Sequence, residues 1–403
     1  MKQSFWKTIS GPFSVASVYV GALVGPALVA GTYATVFYLS NGCNSLWLPF
    51  LACGIVGLMC LSASEIIRHY KIYEYGALSK KVYGGKRIFT ILFDIYVFLS
   101  NVVGTSIILN MSGTFLTELT GVSTIVGMIL IAIITVILVK YRDKLIRYAN
   151  SIMTIVLLVG FVVISLLVVY LFGPQVKALL SSWYVPEGVS IWSGLWSCCK
   201  YAFASSAFAL TMCCVEQPIE THKQSCLLGI FILILGGLLQ AISCFTFLPF
   251  VDEVMNDPLP LVYVMNNYLS AAYPWIRTCY YILMLLAIVS STIPATYMIS
   301  SRYQSALKFI PALKTDNSRN IVAAILFMVI CTLIGALGLT NLANTGLTIV
   351  SYIGMPLVVI PLFFIWPQRT RKFRQAEREQ AAQSRNPDIY SSPAGLCMPG
   401  RRR

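Results

Sequence analysis

Ten stretches of this chain are apolar over lengths that cross the roughly 30 Å hydrocarbon core of a bilayer at about 1.5 Å of rise per residue. They are read over residues 14–38, 45–66, 88–117, 121–140 and 146–172 in the first half, and 191–215, 225–250, 273–300, 320–339 and 344–366 in the second. With 57% hydrophobic and only 11% charged residues, the chain is expected to be an all-α polytopic membrane protein with no soluble domain of useful size. The first stretch exceeds the short apolar core of a secretory signal and a second follows almost at once, so it is expected to stay in the membrane.

Lysines and arginines collect on alternate loops: Arg68, Lys71, Lys80, Lys81, Lys86 and Arg87; then Lys140, Arg142, Lys144 and Arg147; then Arg302, Lys308, Lys314 and Arg319. The alternate loops hold only Lys177 and Arg277. The positive-inside rule therefore puts both termini in the cytoplasm, which agrees with an even number of spans. The net charge of +14 is mostly a matter of topology, and no nucleic-acid partner is invoked. Basic residues Arg369, Arg371, Lys372, Arg374 and Arg378 are placed to meet anionic lipid.

The cysteines lie mostly inside the apolar stretches and show no paired Cys-x-x-Cys spacing, while His69 and His222 are read in cytoplasmic loops. No zinc or haem ligand set assembles from them, and no cofactor is expected. The cysteines read as small packing residues, with Cys43 the one external thiol, which argues against a disulfide scaffold.

Within the first stretch, the run Gly21-Ala-Leu-Val-Gly25-Pro26-Ala27-Leu-Val-Ala-Gly31 interrupts hydrocarbon with glycines and a proline. A Gly-xxx-Gly spacing can serve close helix packing. Pro26, however, lacks an N–H and displaces the carbonyl four residues back, so a broken helix lining a cavity is expected here. The sixth stretch carries a comparable polar, small-residue patch, Lys200-Tyr-Ala-Phe-Ala-Ser-Ser-Ala. Discontinuous helices at corresponding places in two five-helix halves point to a transport site between inverted repeats. A broken helix presents N–H groups to a carboxylate and freed carbonyls to a cation.

The glycine spacing of the first helix resembles the Gly-x-x-x-Gly-x-x-x-x-x-Gly segment of YkvI-type bacterial membrane proteins, which belong with the LeuT-fold transporters of the amino acid, polyamine and organocation superfamily. The resemblance covers about residues 10–367 and implies a 5+5 inverted repeat with broken helices 1 and 6. Helices 1, 2, 6 and 7 would form a moving bundle, helices 3, 4, 8 and 9 a scaffold, and helices 5 and 10 the arms. The implied organisation is a cytoplasmic segment 1–13, repeats over 14–172 and 173–367, an external lid at 251–270, and a disordered basic tail over 368–403.

The eighth stretch reads Leu286-Ala287-Ile-Val-Ser290-Ser291-Thr292, matching the alanine and paired hydroxyls of the superfamily's sodium-dependent members. The resemblance implies a sodium site made by Ala287, Ser290 and Ser291 together with the carbonyls of Gly21 and Val24. Neutral oxygens of this kind suit a small monovalent cation. The alternative is that these hydroxyls only bond back to their own helix. Pro26 and Ala27 stand where YkvI-like sequences tend to have Ala-Gly, and Leu28 replaces an amide ligand of a second sodium, so one ion is expected.

For substrate, Gly25, Pro26 and Ala27 on helix 1, and Lys200, Tyr201, Phe203 and Ser205 on helix 6, are the candidates, with Asn101 from helix 3. Lys200 either meets a substrate carboxylate, carries a coupling proton, or snorkels to the outer interface. Asn101 and Asn110 either line a cavity or bridge helices. Trp6 and Asp94 are assigned to gating, Trp6 as an inner plug or an interfacial anchor, and Glu65 to an interfacial charge. No nucleophile with a partnered base and no phosphate loop is apparent, so an enzyme is not expected.

The reading is a sodium-coupled symporter of an amino acid or similar small zwitterion, in the bacterial plasma membrane, with lipid and a small-molecule substrate as its partners. Two alternatives stand beside it: a proton-coupled transporter of the same fold using Lys200, and a nutrient sensor like the spore germinant receptor subunits, which resemble this superfamily.

Overall fold

The computed structural model describes residues 2–375 apart from 73–74, 140–141, 212–218, 256, 258, 271–272, 311–312, 314, 339–340, 369 and 374, with side chains described except at 2–7, 18, 22–26, 28, 75, 142–151, 153–154, 157–158, 210–211 and 290.

The apolar stretches form helices because in hydrocarbon each backbone polar group needs a partner inside its own segment. In chain order these are α1 (Lys2–Ala30), α2 (Leu48–Tyr70), a short α3 (Tyr75–Val82), α4 (Arg87–Thr120), α5 (Thr124–Val139) and α6 (Arg142–Ser182). The second half holds α7 (Ile191–Ala204), α8 (Ser206–Thr211), α9 (His222–Phe247), α10 (Val251–Val254), α11 (Pro260–Val264), α12 (Pro274–Tyr303), α13 (Asp316–Gly335) and the helical run α14 (Leu342–Phe373). Among the described residues seven helical runs are long and apolar enough to cross a membrane, and α5 is a shorter apolar helix. With α1 and the α7–α8 pair they fit the ten spans read from the sequence.

Helix ends follow local chemistry. Thr221 caps α9 by accepting from Gln224 N at 3.3 Å, while Gln224 Oε1 accepts from Thr221 N at 3.1 Å, closing a capping box. Thr315 caps α13 and Ser190 caps α7 in the simpler one-way form. Two expectations move as a result. His222 is the first residue of α9 and His69 lies in the last turn of α2, so both histidines belong to helix ends rather than loops. The fifth span also runs on past 172, kinking at Phe172 (φ −118°, ψ 21°) just before Pro174 and continuing to Ser182.

Two groups of helices pack face to face. The first contains α1, α2, α7 and α9; the second contains α4, α5, α12 and α13, with α1 also lying against α12 and α6. The crossing of α2 and α9 depends on two glycines. A Cβ on Gly57 would sit 2.5 Å from the Gly229 carbonyl oxygen, and one on Gly229 would sit 2.9 Å from that of Gly57. In lipid, helices gain from such close backbone approach because the surrounding tails are as apolar as the side chains.

Both discontinuities expected from the sequence are present, but the first is displaced. α1 continues through Gly21, Gly25 and Pro26 to Ala30 and ends at Gly31, which has φ +88°. The chain then resumes as a π-helical turn over Ala34–Tyr38. A membrane helix accommodates a proline because its φ is already helical and only one internal bond is lost. Gly31 instead takes a backbone conformation that a side chain would strain, and a Cβ there would fall 2.5 Å from Phe247 Cζ. The sixth span breaks at Ser205, between α7 and α8.

Candidate functional site

The contact expected between helix 1 and helix 8 is present. Ser291 Oγ, on α12, donates to the Gly21 carbonyl of α1 at 3.3 Å, and Ser291 is buried. Ala287, one turn earlier on α12, is fully buried. The neighbouring hydroxyl points elsewhere: Thr292 Oγ1 lies 3.0 Å from Thr135 Oγ1 of α5 and donates to Ile288 O at 3.0 Å. Among the described residues the oxygens at this crossing are neutral, a donor set suited to a monovalent cation rather than a divalent one. The side chains of Val24, Gly25, Pro26 and Ser290 lie outside the described residues, as does that of Trp6.

Each helix break is held by a tyrosine of the opposite half. Tyr280, on α12, donates to the Val29 carbonyl at 3.0 Å in the last turn of α1. Tyr96, on α4, donates to the Phe203 carbonyl at 3.2 Å and lies 2.7 Å from Ser206 Oγ, so it bridges the gap between α7 and α8. Tyr19, on α1, donates to the Ser205 carbonyl at 3.3 Å. These hydroxyls tie the ends of the interrupted helices to facing helices, the Ser205 carbonyl also accepting from Phe208 N at 3.0 Å. They were not singled out in the sequence; the available signal was a phenol in an otherwise apolar span, which needs a partner when buried.

Tyr201 and Lys200, adjacent in sequence, part company in the fold. Tyr201 is buried among Tyr33, Phe37 and Tyr38, with ring centroids 5.7, 5.3 and 5.8 Å away, and its hydroxyl accepts from Gln240 Nε2 of α9 at 3.0 Å. Gln240 also donates to Cys53 Sγ of α2 at 3.2 Å, so Tyr201 joins the chain just beyond α1 to α7, α9 and α2. Lys200 is half-buried and lies one turn from Trp196, which is 43% exposed and packs near Tyr352. Ser351 donates to the Lys200 carbonyl at 2.8 Å, but among the described residues no ion pair reaches its ammonium group. Phe203 and Ser205 take part through their carbonyls, and Ala27 is buried.

Asn101 is 1% exposed; Nδ2 donates to Val97 O at 2.8 Å, and among the described residues Oδ1 has no hydrogen-bond partner. Asn110 instead bridges helices, donating to the Gly335 carbonyl of α13 at 2.8 Å. Asp94 pairs with Arg302 of α12 at 2.8 Å, linking α4 to α12.

The segment assigned as a lid folds into short helical pieces. Pro260 lies against Gly31, and the Phe250 ring stacks on Tyr268 at 4.6 Å. Phe172, at the kink of α6, lies 4.9 Å from Phe250 and 5.7 Å from Tyr268, so this segment packs on the end of α1 and on that kink together.

No protein-family model and no curated protein matches this chain. Solved structures do. MhsT in complex with L-phenylalanine matches with a TM-score of 0.66 at 14% identity, over 89% of this chain and 96% of that one. A Na+-coupled sialic acid symporter in a substrate-bound outward-open state matches with a TM-score of 0.64 at 14% identity, over 88% and 79%. The nucleobase-cation-symport-1 family transporter Mhp1, closed on bromovinylhydantoin, matches with a TM-score of 0.58 at 16% identity, over 90% and 79%. At such identities the likeness is one of fold: the chain is an all-α membrane protein with the LeuT-type inverted repeat and broken helices 1 and 6.

Proposed function

We propose that this protein is a secondary transporter working by alternating access, a sodium-coupled symporter of an amino acid or similar small zwitterion. The observation that carries the reading is the Ser291–Gly21 contact. It links the helix of one group, α1, to a helix of the other, α12, at the two positions where a coupling ion is expected. An ion held there by oxygens from both groups has a different affinity when they separate, and that difference is what allows it to drive a cycle. In this reading α1, α2, α7, α8 and α9 rock against α4, α5, α12 and α13. Residues 251–270 close the outer side, and Trp6 and Asp94 act at the inner side. Gly25, Pro26, Ala27, Lys200, Tyr201, Phe203, Ser205 and Asn101 are the proposed substrate residues. Of these, Asn101 has a buried acceptor oxygen still open to an ammonium group. The proposed setting is the bacterial plasma membrane with both termini cytoplasmic, and the proposed relatives are the YkvI-type proteins.

The test is thermal unfolding of the detergent-purified protein against a panel of amino acids and betaines, in sodium and in matched potassium. Binding to the folded state stabilises it by mass action, about 2.7 kcal/mol at a hundred times Kd. A sodium-specific shift that Ser291→Ala removes supports the ion site, and uptake into proteoliposomes then establishes flux. Stabilisation by ligand with no dependence on sodium overturns the sodium assignment. Binding without flux overturns the transporter reading in favour of a sensor.

A further inference from the structure

At the ends of α2 and α9 remote from the lid, three side chains that the transport reading does not use form a connected line. Glu65 Oε1, 2% exposed at its side chain, lies 3.3 Å from His222 Nδ1, and His222 Nε2 lies 3.6 Å from Cys226 Sγ. His222 and Cys226 sit one helical turn apart in the first turns of α9, so the spacing that brings them together is local. Glu65 comes from the facing helix, and that helix is held close by the glycine crossing at Gly57 and Gly229. Arg68 holds the other carboxylate oxygen, Oε2, at 3.1 Å and donates to the Glu220 carbonyl at 3.3 Å, which fixes the carboxylate in place.

We propose that Cys226 is an activated thiol and a site of reversible covalent modification by low-molecular-weight disulfides. The arrangement has the order of an assisted nucleophile: a thiol within reach of one imidazole nitrogen, with a carboxylate at ion-pair distance from the other, though without hydrogen-bond geometry. Glu65 favours the tautomer with hydrogen on Nδ1, leaving the Nε2 lone pair for the thiol proton. The charged and titratable groups around the line are Glu65 and Arg68 of α2, with Glu220 and Lys223 at the start of α9; the side chain of Lys7 lies outside the described residues. Cys226 and His222 are half-buried, so a small reagent has access.

The exchange balances as follows. Cys226 gives its proton to His222 Nε2, and Sγ attacks one sulfur of a disulfide R–S–S–R. A Cys226–S–S–R bond forms, the original S–S bond breaks, and RS⁻ leaves, taking the proton from His222. A second thiol reverses the reaction by the same route.

The experiment uses the full-length protein in detergent and an aromatic disulfide that releases a coloured thione, with the modified cysteine located by peptide mass spectrometry at each pH. Cys279, exposed on α12 with no acid–base partner among the described residues, serves as the internal comparison. The expected result is that Cys226 reacts ahead of Cys279 at pH 7. His222→Gln is expected to slow exchange at Cys226 about threefold at pH 7, because no imidazole is left to take the thiol proton. Cys226→Ser should remove the fast phase. The proposal is overturned if wild-type Cys226 reacts no faster than Cys279, an outcome that needs no variant to fold, or if a well-folded His222→Gln protein keeps the wild-type rate at Cys226.

Discussion

The hydroxyl of Tyr280 donates to the carbonyl of Val29 at 3.0 Å, tying α12 to the last turn of α1 just before the chain turns at Gly31. Tyr96 of α4 does the same for the other half, donating to Phe203 at the end of α7. In a 5+5 repeat, α4 corresponds to α12 and α7 to α1, so the two contacts are counterparts under the internal symmetry. An interrupted helix leaves acceptors with no partner of their own, and hydrocarbon offers none.

Removing either hydroxyl is therefore expected to destabilise the fold without altering packing shape. Tyr280→Phe and Tyr96→Phe should each cost about 0.5–1.5 kcal/mol, the net worth of one hydrogen bond, read as a lower unfolding temperature in detergent. If both variants melt with the wild type, the contacts are incidental.

The two neighbouring hydroxyls on α12 are expected to separate in function. Ser291→Ala should abolish the sodium-dependent part of thermal stabilisation, because Ser291 faces Gly21. Thr292→Val should lower the unfolding temperature and leave the sodium shift intact, because Thr292 faces Thr135 on α5. Loss of the sodium shift in both variants would mean that the ion responds to general loosening of α12.

Glycines along the helices should differ in tolerance. Gly57→Leu and Gly229→Leu are expected to abolish folded, monodisperse protein, since a Cβ at either already meets the opposing backbone. Gly104→Ala on α4 meets nothing within 4 Å and should be neutral or stabilising by about 0.4–1 kcal/mol. Size-exclusion chromatography and thermal unfolding distinguish these outcomes. Gly31→Ala combines a positive φ with a clash against Phe247 and should cost more than Gly104→Ala in any helix-neutral comparison.

The Asp94–Arg302 pair is partly exposed, with side chains 23% and 37% accessible. Its worth to stability is expected to be small, about 0.2–1 kcal/mol by a double-mutant cycle of Asp94→Asn and Arg302→Gln. A larger effect on flux than on stability would mark it as a gate that must open in the cycle. Equal, small effects on both would make it a structural tie.

Much of the fold was legible in the sequence because a membrane imposes a simple demand. A segment that enters hydrocarbon has to be apolar and has to satisfy its own backbone, so the spans, their order and the two interruptions follow from local sequence. The pairing of Ser291 with Gly21 was legible only with the help of a family resemblance, since the two lie 270 positions apart. Tertiary structure decided what depends on which face a residue presents. It placed the first break at Gly31 rather than at Pro26, because Phe247 and Pro260 crowd the one position that only glycine can occupy. It turned Tyr201 inward and left Lys200 beside Trp196, one residue being about a hundred degrees of helix rotation. It set Glu65 against His222 and Cys226 through the α2–α9 crossing. Local sequence determines where a helix starts and stops; where it breaks and what its side chains meet are decided together with the helix that packs against it.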